Sequence, residues 1–277
     1  VVGGLSRVRS IWLNDAHIFC PADRVGCEVA GVLALMRQAH DALGLQVSSY
    51  RLSLRSEDGG DYAGDDASWD LAGRLLREAL QSESIPYEAV AGEAAFYGPK
   101  IDVQGVDAAG REFTLATIQV DFHQPAQFGL GYTDAGGGRS RPVMVHRSLA
   151  GSMERLFASL LEAHRGAFPV WYSPVQAVAV PVGEDQRRAS DDFVRAAVRA
   201  GLRAELAPDG SVGARIREAA RRRIPYVAVI GDREAGRGSV ALRLRDGRRL
   251  PEMPAGEAVA LIARVAADRS PGLLPSS

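Results

Sequence analysis

Four short segments set polar and conformationally special residues into otherwise apolar stretches. The first is Arg7-Val8-Arg9, which leads to Asp15 and His17. The second is Phe96-Tyr97-Gly98-Pro99-Lys100-Ile101-Asp102, the third Gln119-Val120-Asp121-Phe122. The fourth is His146-Arg147 followed by Gly151-Ser152-Met153-Glu154-Arg155. Each has an ordinary explanation when taken singly. A histidine beside a strand is a candidate ligand but is more often satisfied structurally, and Arg155, one turn into a helix, suits a surface ion pair. Gly98-Pro99 reads as a turn, and Tyr97 fits a core as readily as a substrate lid. Lys100 stands apart: it is the single lysine among 33 basic residues. An ammonium differs from a guanidinium in shape and reach, so its survival against an arginine background singles it out.

The elements that must position these residues fall into two patterns. A strand is expected over residues 5–13, running into 14–20, then a helix over about 27–43 ending at Gly44. Alternation marks a strand at 50–54, glycines among acids a loop at 56–66, and a second helix covers 67–81. Strands near 86–91, 100–106, 112–122 and 142–147 follow, with a helix after Gly151. This half reads as an antiparallel sheet with helices packed on it. After Pro169 the apolar strands become nearly continuous, at 175–182 and 226–230. Helices at about 185–200, 212–222 and 255–267 alternate with them. Continuous apolar strands separated by helices imply a sheet covered on both faces, hence an α/β domain. We place the boundary near 168–174, giving domains 1–170 and 171–277.

Composition is that of a globular chain: 277 residues, 46% hydrophobic and 24% charged. No apolar run approaches the roughly 20 residues of a membrane span. Two cysteines, Cys20 and Cys27, are too few for a disulfide framework, and the amino terminus lacks a secretory pattern; a cytoplasmic location is expected. The net charge of −1 hides an asymmetry. From Val175 onward 18 Arg face 13 acids, and within 211–250 there are 11 Arg and 4 acids. Arginine concentrated in one domain points to a polyanion partner, with a solvated face as the bland alternative.

Taken together, and in this order, the segments resemble bacterial threonyl-tRNA synthetases. The strings are "RVR…DAHIFC", "AFYGPKID", "TIQVDF", "PVMVHRSLAGSMERL", "GAFPVWYSPVQ" and "ARIREAARRRIPYVAVIGDRE". The resemblance implies an α+β class II catalytic domain followed by an α/β anticodon-binding domain. It implies ATP-dependent activation of threonine and transfer to tRNA(Thr), with threonine, ATP and tRNA(Thr) as partners, Mg²⁺ accompanying ATP, and a homodimer. Arg155, Arg7 and Lys100 take catalytic roles by this resemblance. Arg7, Gln119, Ser152 and Arg155 bind ATP, and Asp15, Tyr97 and Lys100 line the amino-acid site. One Zn²⁺ would be held by His17 and His146 with a cysteine from an earlier segment. Cys20, three residues from His17, is not that cysteine. Arg217, Glu234 and Arg243 would contact the anticodon.

The chain also departs from the pattern. Ile11 stands where the family stacks an aromatic ring on adenine, Leu13 replaces a glutamine and Asn14 an aspartate. The first class II motif, the zinc cysteine and the leading arginine of the second motif precede Val1 in the family. The 277 residues are therefore expected to begin within the second motif region and to be inactive alone. The alternative is a catalytically inactive synthetase-like paralogue that binds tRNA.

Overall fold

Residues 3–5, 8–56, 61–107 and 109–275 are described by a computed structural model of the chain. It divides into two compact units, Val1–Ala163 and His164–Ser277. The first contains β1 (Leu13–Cys20), α1 (Val25–Leu43), β2 (Ser49–Leu54), α2 (Asp66–Ser82), β3 (Glu88–Ala91), β4 (Lys100–Val106) and β5 (Glu112–Asp121). These are followed by α3 (His123–Gln127), a hairpin of β6 (Tyr132–Thr133) and β7 (Arg139–Ser140), β8 (Val143–Ser152) and α4 (Met153–His164). Six strands form one sheet in the order β1-β8-β5-β4-β2-β3. All pairings are antiparallel except β2 with β3. The expected antiparallel sheet is thus mixed at one edge, because α2 carries the chain from β2 back to the starting end before β3 pairs alongside.

One face of this sheet is apolar. Ile101, Val103, Ala116, Ile118, Val120, Val143 and Val145 are buried there with Leu52 against α1 and α2. α1 contributes Val25, Val29, Val32, Leu33 and Met36, and α2 contributes Trp69, Ala72, Leu76, Ala79 and Leu80, in each case one helical stripe. α1 stops at Gly44, whose φ of 69° a side chain would disfavour. α2 starts at Asp65, whose carboxylate accepts the Ser68 N–H at 2.8 Å. β1 shows the pattern clearly: Leu13, Asp15, His17 and Phe19 are exposed, whereas Cys20 is buried. The strand expected over residues 5–13 falls partly outside the described residues; the described strand begins at Leu13. Its inward positions are Asn14, Ala16, Ile18 and Cys20, of which Ile18 and Cys20 meet the core.

The second unit holds β9 (Ala177–Pro181), α5 (Arg187–Arg199), β10 (Ala204–Leu206), α6 (Val212–Arg221) and β11 (Tyr226–Ile230). It continues with α7 (Asp232–Arg237), β12 (Ser239–Leu244), β13 (Met253–Pro254) and α8 (Ala255–Ala267). The sheet order is β10-β9-β11-β12-β13, with β9, β10 and β11 parallel. Both faces are covered, which is why these strands read as unbroken apolar runs. Ala177, Ala179, Tyr226, Ala228 and Ile230 join one core with α5 and α8. Val178, Val180 and Val227 join another with Ala219 of α6.

Two consequences are measurable. A Cβ at Gly98 would lie 2.0 Å from the Val120 carbonyl oxygen, which is backbone and cannot swing aside. Gly98→Ala is therefore expected to cost about 1–3 kcal/mol, read from urea unfolding. His40, buried in α1, bonds through Nε2 to the Leu149 carbonyl at 2.7 Å. Burial pushes its pKa down, against the smaller opposing effects of that bond and of Asp41. The unfolded chain then takes up a proton that the folded chain resists. His40's contribution is complete above the ordinary value of about 6.5 and is lost as pH falls through the lowered folded value. Over that window the wild type should lose up to about 1.4 kcal/mol per pH unit relative to His40→Gln, measured by denaturation at stepped pH.

Candidate active site and anticodon-type domain

The uncovered face of the first sheet carries the polar residues singled out from sequence, and strand register brings most of them together. His17 pairs across β1 and β8 with His146, His146 across β5 with Gln119, and Gln119 across β4 with Lys100. Directly opposite residues project to the same side, so these four form a row across four strands. The His17 and His146 rings meet edge to face, with centroids 4.7 Å apart. Tyr97 lies against the row: its ring is 5.3 Å from that of His146, and its hydroxyl donates to Gln119 Oε1 at 2.6 Å. Burial raises the Tyr97 phenol above its ordinary pKa, and the charges of Asp121 and Asp15 add to this, while the Gln119 bond opposes it. Asp15 is 3.7 Å from His17 Nε2.

Beneath the row are two buried carboxylates. Asp102 is 3% exposed. It accepts from Lys100 Nζ at 2.6 Å and Ser53 Oγ at 2.8 Å on one oxygen, and from Thr117 Oγ1 at 3.2 Å on the other. Three donors offset the cost of burying the charge. They also hold the ammonium of Lys100 in place. Asp121, fully buried, bonds to His146 Nε2 at 2.8 Å. Its other oxygen accepts the backbone N–H groups of His123 and Gln124. Both aspartates lie inside segments singled out from sequence, Asp102 in the second and Asp121 in the third, without a role there. The available signal was polarity at every second position, 117, 119 and 121, within a strand otherwise filled by Ile118 and Val120.

Arg155 stands elsewhere. Near the end of β8, Gly151 has a φ of 63° that lets the chain turn into α4, and Ser152 Oγ accepts the Arg155 N–H at 3.2 Å. The Arg155 guanidinium donates to the Thr114 carbonyl at 3.3 Å. It borders a cleft of about 440 Å³ with Asp107, Arg111, Glu112, Phe113, Thr114 and α4 residues. Tyr97 instead borders a smaller cavity of about 260 Å³ with Gly98, Pro99 and Arg141. Arg155 and Tyr97, both expected from the resemblance to line the substrate site, thus border different cavities, and neither Gln119 nor Lys100 is among the residues lining either. Thr114 is five residues along β5 from Gln119, roughly 16 Å of strand. Arg7 lies outside the described residues.

The departures from the family pattern also find places. Asn14, half-buried, accepts the Leu149 N–H of β8 on its Oδ1 at 3.1 Å. Ile11 and Leu13 are exposed, 51% and 59%. Cys20 sits in the apolar core, on the side of β1 opposite His17. Burial first, then the charges of Glu28 and Asp23, pushes its thiol up to about 11. Such a thiol is a poor metal ligand. Among the described residues no three His, Cys, Asp or Glu side chains are grouped as a metal site.

In the second unit, Arg243 on β12 projects to the side of Val227, its partner in β11, the face that α6 covers. Arg217, exposed on α6, lies with Nη1 near Gly213. Neither makes a side-chain hydrogen bond or ion pair among the described residues. Glu234 differs: its carboxylate accepts the Gly231 N–H at 3.0 Å at the start of α7 and pairs with Arg233 at 3.2 Å. Burial works against its ionisation, but these backbone bonds and Arg233 outweigh it and hold the carboxyl below its ordinary range.

Comparison with known proteins accounts for both units. Residues 2–164 match the tRNA synthetase class II core domain of the G, H, P, S and T group, and residues 176–264 match the anticodon binding domain. The chain belongs to the class II aminoacyl-tRNA synthetases. Within them it is similar to threonine–tRNA ligases: 44% identical over 254 residues to that of Rubrobacter xylanophilus and over 253 to that of Thermus thermophilus. Each alignment covers 91% of this chain but only 40% and 38% of the relative, so the chain spans about two fifths of their length. A solved structure of the RNA binding domain of threonyl-tRNA synthetase from Cryptosporidium parvum superposes with a TM-score of 0.88 at 31% identity, over 99% of this chain and 67% of the other. Among the described residues no helix is long and apolar enough to cross a membrane.

The Lys100–Asp102 pair gives this geometry a direct test. The two side chains are 20% and 4% exposed, so Lys100→Met leaves a buried carboxylate with hydroxyl partners alone. Destabilisation of about 3 kcal/mol is expected in chemical denaturation.

Proposed function

We propose that the chain serves threonyl-tRNA formation as part of a threonine–tRNA ligase, which activates threonine with ATP and passes it to tRNA(Thr). The observation that carries this reading is the row His17–His146–Gln119–Lys100 with Tyr97 against it, set on one open sheet face in a chain whose second unit is of the anticodon-binding family. Acyl activation asks little covalent chemistry of a protein; orientation and neutralisation of phosphate charge dominate. Arg155 and Arg7 would meet the phosphates of Mg²⁺-ATP, Gln119 and Ser152 would orient the nucleotide, and Asp15, Tyr97 and Lys100 would bind threonine. The proposal includes the cytoplasm as compartment and a homodimer as assembly.

Threonine and valine are nearly isosteric, so an apolar pocket separates them poorly and a site that binds the hydroxyl separates them better. A zinc ion would supply that hydroxyl and amine recognition when bound. The residues here fit part of such a site: two imidazoles side by side, one backed by a buried carboxylate. An open zinc site takes three protein ligands, so His17 and His146 would share the ion with a third.

A second reading is a tRNA-binding paralogue without catalysis. It is favoured by Ile11 and Leu13, whose exposed apolar side chains cannot hydrogen-bond a substrate. Threonine-dependent ATP–pyrophosphate exchange by the whole gene product, abolished in Arg155→Ala, would support the ligase; no exchange in the parent protein would leave the binding role. The 277 residues by themselves are expected to bind tRNA without charging it. Binding should weaken steeply with salt, and by roughly tenfold in Arg217→Ala or Arg243→Ala in filter-binding assays. Threonyl-tRNA made by the purified 277 residues would overturn that expectation.

A further inference from the structure

Asp121 does two things at once. Oδ1 accepts the His123 and Gln124 N–H groups, each at 2.8 Å, fixing the first turn of α3. Oδ2 meets His146 Nε2 at 2.8 Å. The carboxylate is fully buried and His146 is 12% exposed, so water hardly competes for this bond. An ionised carboxylate only accepts hydrogen bonds, and a neutral imidazole carries its proton on one nitrogen. The nitrogen facing Asp121 must be the donor.

We propose that Asp121 is a positioning residue that holds His146 as its Nε2–H tautomer, leaving the Nδ1 lone pair free to bind a metal or accept a proton. The inference rests on the site reading above for its use but not for its test. A helix-capping role alone would require Oδ1 and would leave the ring free to take either tautomer. The second oxygen is what selects one.

Asp121→Asn separates these roles. Its amide oxygen can keep both backbone bonds, which places the NH₂ group against His146 Nε2. That group donates, so Nε2 must accept and the proton must move to Nδ1. The capping contacts survive while the tautomer inverts.

The test is long-range ¹H–¹⁵N correlation of the histidine rings in the ¹⁵N-labelled 277-residue chain, recorded over a pH series. The wild type should show His146 protonated at Nε2, and Asp121→Asn should show it protonated at Nδ1, with backbone amide spectra otherwise alike. A wild-type ring protonated at Nδ1, or a pattern unchanged by the substitution, would overturn the proposal. The wild-type spectrum decides the first point even if the variant fails to fold. Zinc competition against a chromophoric chelator is a separate readout. Asp121→Asn should bind zinc about 10–100-fold more weakly than wild type. Equal zinc affinity in the two would count against Nδ1 as the liganding nitrogen. If neither chain binds zinc, the tautomer pattern alone decides the role of Asp121.

Discussion

Strand register across β1, β8, β5 and β4 decides which side chains of the first unit can meet. Side chains alternate along each strand, so a slip of one residue would send His146 into the apolar face and Val145 into the open one. The helices make such a slip costly. α1 and α2 bury a continuous apolar surface that includes Ile118, Val120 and Val145, and each such side chain contributes on the order of 1.5–3 kcal/mol. The packing of one face thereby sets the alignment of polar groups on the other. Gly98 extends the same constraint to Tyr97, since only a residue without Cβ lets that turn lie on the Val120 carbonyl.

The open face has its own internal order. Buried carboxylates at Asp102 and Asp121 would be expensive if unpartnered, and each is surrounded by donors from three or more residues. In both cases one of the donors belongs to a residue of the proposed site, Lys100 or His146. The polar network thus holds the groups that chemistry would need, at distances that exposed side chains would not keep. Arg155 is placed by a different device, the turn at Gly151 and the start of α4, and reaches a separate cleft.

The second unit solves a different problem with a sheet covered on both sides. Its core leaves Arg217 and Arg243 on the α6 side without ion-pair partners among the described residues. Many neighbouring arginines are paired locally, as in Arg221 with Glu218, Arg222 with Glu205 and Arg248 with Asp246. The local excess of positive charge seen in 211–250 is therefore unevenly available. Glu234 shows the converse, since its carboxylate is taken up by the Gly231 N–H at the start of α7 and by Arg233.

Much of this was legible in the one-dimensional chain because it depends on local periodicity. The helical stripes of α1 and α2 and the unbroken strands of β9 and β11 follow from which positions are apolar. The motif strings carried the family, since residue identity at short spacing survives where contacts are still unknown. Long-range pairing was not legible in the same way. Nothing within β1 or β8 says that residues 17 and 146 stand opposite each other; that requires the hydrogen-bonded ladder between strands far apart in sequence. The start of β1 at Leu13 was obscured because the exposed residues before it, Ile11 and Trp12, are as apolar as a strand would be. The parallel pairing of β2 and β3 depends on where α2 delivers the chain. The roles of Asp102 and Asp121 arose only when the fold removed water from them, because a carboxylate in solvent has no fixed partner and a buried one must find donors.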